Sequence, residues 1–177
     1  MCVKIKKYLV NLFGLVFLFS SMSFLNEQDN LSAYILKKTK KEITSVFLLV
    51  KFTMEKEAIQ IPKSNFLKAS DLFKIKSGLE TKGYALIASA PSKTDVFDYL
   101  LLFDINFKLK KIKVLVYREN YGGEIASKRW LAQFVKSGKE FFIPGDTISA
   151  ISGATISVQS LTSSINHVME SLKKLKV

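Results

Sequence analysis

Two short stretches place hydroxyl, small and acidic residues at spacings that could do chemistry. The first is Ile151-Ser152-Gly153-Ala154-Thr155-Ile156-Ser157, which runs directly into a helix-patterned segment. Gly153 and Ala154 add little bulk, and the first N–H groups of a helix lack intrahelical partners. An anion such as a phosphate can therefore approach closely here. The same residues also suit a plainer use, with Ser157 as the helix cap and Thr155 as a turn residue. The second stretch, Tyr117-Arg118-Glu119-Asn120-Tyr121-Gly122-Gly123-Glu124, closes a strand-like run.

Much chemistry is excluded by what is scarce. Cys2 is the only cysteine, so the chain cannot build an internal disulfide, a cysteine-only zinc site or an iron–sulfur cluster. His167 is the only histidine, which leaves a transition-metal site poorly supplied and offers little for a nucleophile–base pair. Nothing resembles a nicotinamide-binding fingerprint. Any redox role must use an organic cofactor.

The elements that must position these stretches can be read from periodicity. Residues Asp29 to Ile43 read as a basic helix opened by Asn30 or Ser32, with Leu31, Tyr34, Ile35 and Lys38 at helical spacing. Ser45 to Phe52 reads as a strand, Pro62 to Lys68 as a connection, and Leu72 to Lys76 as a short strand before a Ser77-Gly78 turn. Gly83 to Ala90, Phe97 to Phe103 and Leu109 to Tyr117 read as three strands of an antiparallel meander, with Pro91 closing the first and a turn at Asp104 to Asn106. Ser127 to Phe134 reads as a short helix presenting Trp130, Leu131 and Phe134. Val158, Leu161, Ile165, Val168, Leu172 and Leu175 form one stripe of a last helix from about Ser157 to Lys174, whose final turn gathers lysines as the helix dipole favours. The expected fold class is α+β, an antiparallel sheet with helices packed on it.

Length and composition bound the rest. The chain has 177 residues, 48% of them hydrophobic and 12% aromatic, which suffices for one packed domain and one targeting segment. Lys4, Lys6 and Lys7 precede an uncharged apolar run from Tyr8 to Leu25, with Ser21 and Ser23 as small residues at a possible cleavage site. Residues 1–25 therefore read as a signal peptide or an uncleaved membrane anchor, and 26–177 as the domain. Either version exports the domain, to the periplasm or the outer face of the cytoplasmic membrane. The formal net charge is +12, but the lysines are interleaved with apolar residues throughout. That spread predicts solvated faces suited to an anionic membrane surface, and no nucleic-acid face.

Ser152-Gly153-Ala154-Thr155-x-Ser157 resembles the flavinylation motif of the FMN-binding domain family, which includes the peripheral FMN subunits of the sodium-pumping quinone reductase and the Rnf complex. Tyr117 to Glu124 is similar to the family's segment of strand, glutamate and glycine turn, and Arg129-Trp130-Leu131-Ala132-Gln133-Phe134 to the block that often lies between the two motifs. The resemblance covers roughly Gly83 to Leu175. It implies an FMN-binding-domain-like fold with FMN joined through its phosphate to Thr155 by a flavin transferase that uses FAD. It also implies a cofactor site of Thr155, Ser152, Gly153, Ala154, Ser157, Glu119, Gly122 and Gly123. On that reading the glycines admit the ring or ribityl chain and Glu119 and Glu124 bond ribityl hydroxyls, against an ordinary turn and exposed glutamates. Trp130 either packs on the flavin or is core, Arg118 and Arg129 meet flavin or a partner or lie on the surface, and His167 is structural or exposed.

The sequence departs from the family pattern in two places. Ser149 stands where an aspartate is usual, three residues before Ser152, with Asp146 three further upstream, and Ser157 replaces a common threonine. The first change touches the transferase's usual target; the second keeps the hydroxyl. The expected function is extracytoplasmic electron transfer, with membrane redox proteins or quinone as donor or acceptor, more a carrier or complex subunit than a stand-alone enzyme. The alternative is a non-flavinylated binding or assembly module of a membrane redox complex with the same fold.

Overall fold

A computed structural model describes residues 31–174. The expected leader and Leu175 lie outside them. Two compact units divide the chain, residues 1–38 and 39–177. In the first, residues 31–38 are helical, and the Lys38 ammonium stands 4.3 Å from the centre of the Tyr34 ring.

The second unit opens with helical residues 39–47 (α1) and then builds β1 (Thr53–Lys56), β2 (Ala69–Ser77), β3 (Glu80–Pro91), β4 (Val96–Phe103) and β5 (Leu109–Val116). A 3-10 turn at Gly123–Ala126, helix α2 (Lys128–Lys136) and helix α3 (Thr155–Lys174) follow. The strands form one antiparallel sheet in chain order, β1-β2-β3-β4-β5, so each hairpin pairs neighbours and no crossover is needed. The α+β class and the meander agree with the sequence.

One stretch differs. Ser45 to Phe47 belong to α1, not to a strand, and the sheet's first strand begins only at Thr53. Ile43 is fully buried and Val46 and Phe47 are half-buried, a helical spacing that a short apolar run does not distinguish from a strand. The helix ends where Leu48 takes φ 55, a left-handed conformation that stops the ladder. The Phe47 ring then occupies the space beside Gly83, where a Cβ would lie 2.7 Å from it and 2.3 Å from the Phe103 carbonyl oxygen.

Both faces of the sheet are covered, which explains why β4 is buried along nearly its whole length. Phe97, Tyr99, Leu101 and Phe103 join Trp130, Leu131 and Phe134 of α2 and Val158, Leu161, Ile165 and Val168 of α3 in one core. The alternate residues Leu100 and Leu102 face the other way, where Lys111, opposite Leu102, pairs with Glu42 of α1 at 2.6 Å. A fully buried leucine of this kind contributes about 1.5–3 kcal/mol. Within the main core the Tyr99 hydroxyl meets Ser164 Oγ at 2.5 Å, which helps fix how α3 lies on β4. Burial pushes the Tyr99 phenol upward, so it stays neutral at any ordinary pH. His167 is half-buried, its Nε2 lying 2.7 Å from the Pro62 carbonyl oxygen.

Candidate functional site

The sheet's end that carries the β3–β4 turn also carries the end of β5 and the start of α3. There Lys93, Tyr117, Glu119, Tyr121, Gly153, Ala154, Thr155, Ile156 and Ser157 line a cavity of about 350 Å³. That volume lies in the range of small-ligand sites. Larger hollows of about 420 and 670 Å³ exist, one at the far end of α3 and one behind the 149–152 loop, but neither reaches Thr155.

Thr155 is the first residue of α3 and is exposed, so its hydroxyl stands where the helix presents unpaired N–H groups. Gly153 makes the turn before it with φ 77, and a Cβ there would meet nothing within 4 Å, leaving the approach open. The Ala154 amide donates to the Ile151 carbonyl at 3.2 Å, closing the turn. Ser157 is not the helix cap: it lies inside the first turn, buried, with Oγ 3.1 Å from the Tyr117 hydroxyl. That bond joins the start of α3 to the end of β5.

Gly122 joins the two stretches at a second point. It takes φ 75, and a Cβ built on it would lie 2.4 Å from the Ala154 Cβ. The glycine is therefore required both by backbone conformation and by the approach of the Thr155 loop. Gly123 has open space around it and is not among the cavity's lining residues. Ser152 lines the hollow behind the loop, together with Glu124 and Arg129, and is not among the residues lining the Thr155 cavity.

Glu119 lines the cavity and also fixes its wall. Its Oε1 accepts the Thr94 backbone N–H at 2.7 Å and its Oε2 the Thr94 hydroxyl at 2.9 Å, which holds the β3–β4 turn and Lys93 in place. The Ser92 hydroxyl first and the Thr94 amide next lower the Glu119 carboxyl from 4.5 to about 2. A depressed carboxylate contributes its full hold above the unfolded value and loses it as pH falls through the folded one. Protection of the Thr94 amide, its exchange rate relative to the intrinsic rate at the same pH, should therefore hold from neutral pH down to about 4.5 and fall progressively towards about 2. In Glu119→Gln that protection should be lower at neutral pH and lack this dependence.

Arg118 does not face the cavity. Its Nη1 donates to the Val96 carbonyl at 2.8 Å and its Nη2 to Asp98 at 2.7 Å, while Ser89 donates to the other Asp98 oxygen. The Asp98 side chain is 11% exposed and that of Arg118 25%. Arg118→Ala should therefore cost about 1.5–3 kcal/mol in chemical denaturation, below the value for a fully buried pair because water still reaches the arginine.

Trp130 is a core residue, packed edge-on against Phe134, and its Nε1–H donates to the Ser149 carbonyl at 2.8 Å. Gln133 Oε1 accepts both the Ser149 amide at 2.9 Å and the Ser149 hydroxyl at 2.8 Å. The position where the family has an aspartate is thus held by α2, a connection invisible in the spacing of residues. Lys93, Tyr121 and Ile156 were likewise missed as site residues. Tyr121 is 80% exposed and Ile156 48%, and only the meeting of three loops makes them neighbours. Among the described residues no group of three or more His, Cys, Asp or Glu could hold a metal ion, and no helix is long and apolar enough to cross a membrane.

The geometry defines an α+β ligand-binding domain whose small-residue loop offers a hydroxyl and a helix N-terminus to an anion. The sequence model of the FMN-binding domain matches residues 93–170, which run from the β3–β4 turn into α3, and that stretch of the chain is similar to this family. The match starts later than the resemblance first read from Gly83. No curated protein matches the chain. The cavity fits FMN in kind: open backbone at Gly153, the α3 N-terminus and Lys93 suit a phosphate, and exposed Tyr121 and Ile156 suit a flat aromatic ring.

Proposed function

We propose that Thr155 carries FMN through a phosphoester and that the protein moves electrons outside the cytoplasm. The observation that supports this most is the exposed Thr155 hydroxyl at the first position of α3, on the wall of a cavity with a cation and two tyrosines. In the loading step Thr155 Oγ1 forms a bond to the FMN phosphorus of FAD, the diphosphate bridge breaks, AMP leaves and the hydroxyl proton goes to base. When bound, the flavin supplies one- and two-electron transfer. The chain's own tasks are to hold the phosphate at Lys93 and the helix N-terminus, to cover the ring with Tyr121 and Ile156, and to keep the loop in place through Gly122. A covalent bond suits an exported protein, because a cofactor held only by equilibrium would be diluted away after dissociating.

Ser149 favours a second reading, a module that is never flavinylated. One experiment separates them. The chain is coexpressed with an active flavin transferase and run on a denaturing gel. A fluorescent band at the size of the chain, with a Thr155 peptide heavier by FMN less one water, supports the carrier. In Ser149→Asp the new carboxylate meets Gln133 Oε1, so labelling should rise only if recognition by the transferase outweighs the loss of that contact. If neither protein takes up flavin, the module reading replaces the carrier. Export is tested apart from the flavin: a C-terminal reporter active only in the cytoplasm should be silent, and activity there would end the proposal of an outside location.

A further inference from the structure

Large apolar side chains stand exposed at one end of the sheet, in places where neither turn chemistry nor the core calls for them. Pairing of Ser77 with Glu80 leaves Gly78 and Leu79 as the β2–β3 turn, and Leu79 is 98% exposed. Such turns favour Gly, Asn and Asp. Leu48 holds φ 55, a conformation that a leucine adopts only at a cost, and at 86% exposure no burial offsets it. Val50 and, in the β4–β5 connection, Ile105 are exposed as well. β1 opens at Thr53 beside Lys76, β4 ends at Phe103 beside Tyr84, and the Ser77 hydroxyl donates to the Lys51 carbonyl at 3.3 Å. All four apolar residues therefore share one end. The β3–β4 turn and the Thr155 cavity lie at the other, roughly 36 Å away along the twelve residues of β3.

Single exposed apolar residues are ordinary on a protein surface, but four on three converging connections are not. We propose that this end docks on an anionic lipid surface, with Leu48, Val50, Leu79 and Ile105 entering the headgroup boundary. Charge selects the occupant. Glu55, Glu80 and Glu140 are each paired with a lysine, Lys76, Lys82 and Lys173. Among the described residues Lys51, Lys108 and Lys139 form no ion pair, and Asp104 stands against them with one oxygen taken by the Asn106 and Lys108 amides. Lys108 and Lys139 line the same hollow, so the third connection shares the positive surplus. Shape points the same way: side chains that project from loop tips need a partner that closes around them, as a fluid headgroup layer does. The Thr155 cavity then opens towards water. This gives the expected membrane surface a defined place on the domain, and it does not depend on whether Thr155 carries flavin.

The test uses the full chain carrying Cys2→Ser, reconstituted into phosphatidylglycerol vesicles with a fluorescent label on Leu79→Cys or, as the control at the other end, on Asn120→Cys. Acrylamide, a neutral quencher in water, should reach the label at 79 about threefold less than the label at 120, and brominated phosphatidylglycerol should quench only the label at 79. Val50→Cys repeats the reading if Leu79→Cys does not fold. The pair Lys51→Glu with Lys108→Glu should lower the lipid quenching at 79 by about half or more, and Lys51→Gln with Lys108→Gln should fall between and serve if the reversed pair does not fold. Equal access at 79 and 120 overturns the proposal, as does lipid quenching at 79 that neither lysine pair alters. So does protection at 79 in detergent alone that grows with protein concentration, which would assign this end to a second copy of the chain. The reporter fusion tests location separately, so failure here leaves the export reading standing.

Discussion

Thr155→Ala should reduce flavin fluorescence on a denaturing gel to background when the chain is coexpressed with an active transferase, while wild type labels. The alanine removes the only atom of residue 155 that can bond to phosphorus, so the loss should be complete, not graded. The fold should survive. Thr155 is exposed at the first position of α3, and its side chain takes no part in the hydrogen bonds that hold the loop, which run through Ala154, Ser157 and Gly122. Stability should therefore change by about 0.5 kcal/mol or less, read from urea denaturation. Thr155→Ser keeps a hydroxyl at the same place and should retain measurable labelling. Full labelling of Thr155→Ala would show that another residue carries the flavin, and Ser152 and Ser157 would then be the residues to replace.

Gly122→Ala should have the largest effect on the folded site. A Cβ at φ 75 costs about 1–2 kcal/mol for an L-residue. Placing that carbon 2.4 Å from the Ala154 Cβ forces the two loops apart, and overpacking of this kind costs a further 1–3 kcal/mol or so. Together the loss should be about 2–5 kcal/mol, visible as a lower denaturation midpoint. Flavin labelling at Thr155 should fall as well, although residue 155 is untouched. Ala154→Gly in the Gly122→Ala background removes the colliding carbon but leaves the backbone strain, so it should restore part of the stability and more of the labelling. If Ala154→Gly restores nothing, the contact between the loops is not what Gly122 provides.

The contrast between residues 155 and 122 also shows where sequence reading stops. The loop Ser152 to Ser157 was legible because its property is local: small residues ahead of a strongly periodic helix make an anion site whatever lies around them. The strands β3 to β5 and α3 were legible for the same reason, since alternation and a helical stripe are carried by neighbours in the chain. Ser45 to Phe47 was misread as strand because three or four apolar residues fit either period, and only the space beside Gly83 decides that Phe47 ends a helix. β1 was missed because its residues are mostly exposed and carry no alternation.

What the sequence alone determined is thus the fold class, the hydroxyl at position 155, and the scarcity of cysteine and histidine that limits redox chemistry to an organic cofactor. What tertiary structure decided is who meets that hydroxyl. Lys93 comes from a hairpin held by Glu119, Tyr121 and Gly122 from the loop after β5, and Ser149 is gripped by Gln133 and Trp130 of α2. Ser157, which local pattern allowed as a cap, is turned inward by the Tyr117 hydroxyl. Arg118, which could have faced a ligand, is held instead by Asp98 across β4 and β5. Each of these contacts joins residues distant in the chain, and their geometry follows from how the sheet and two helices pack, which no spacing within one segment encodes.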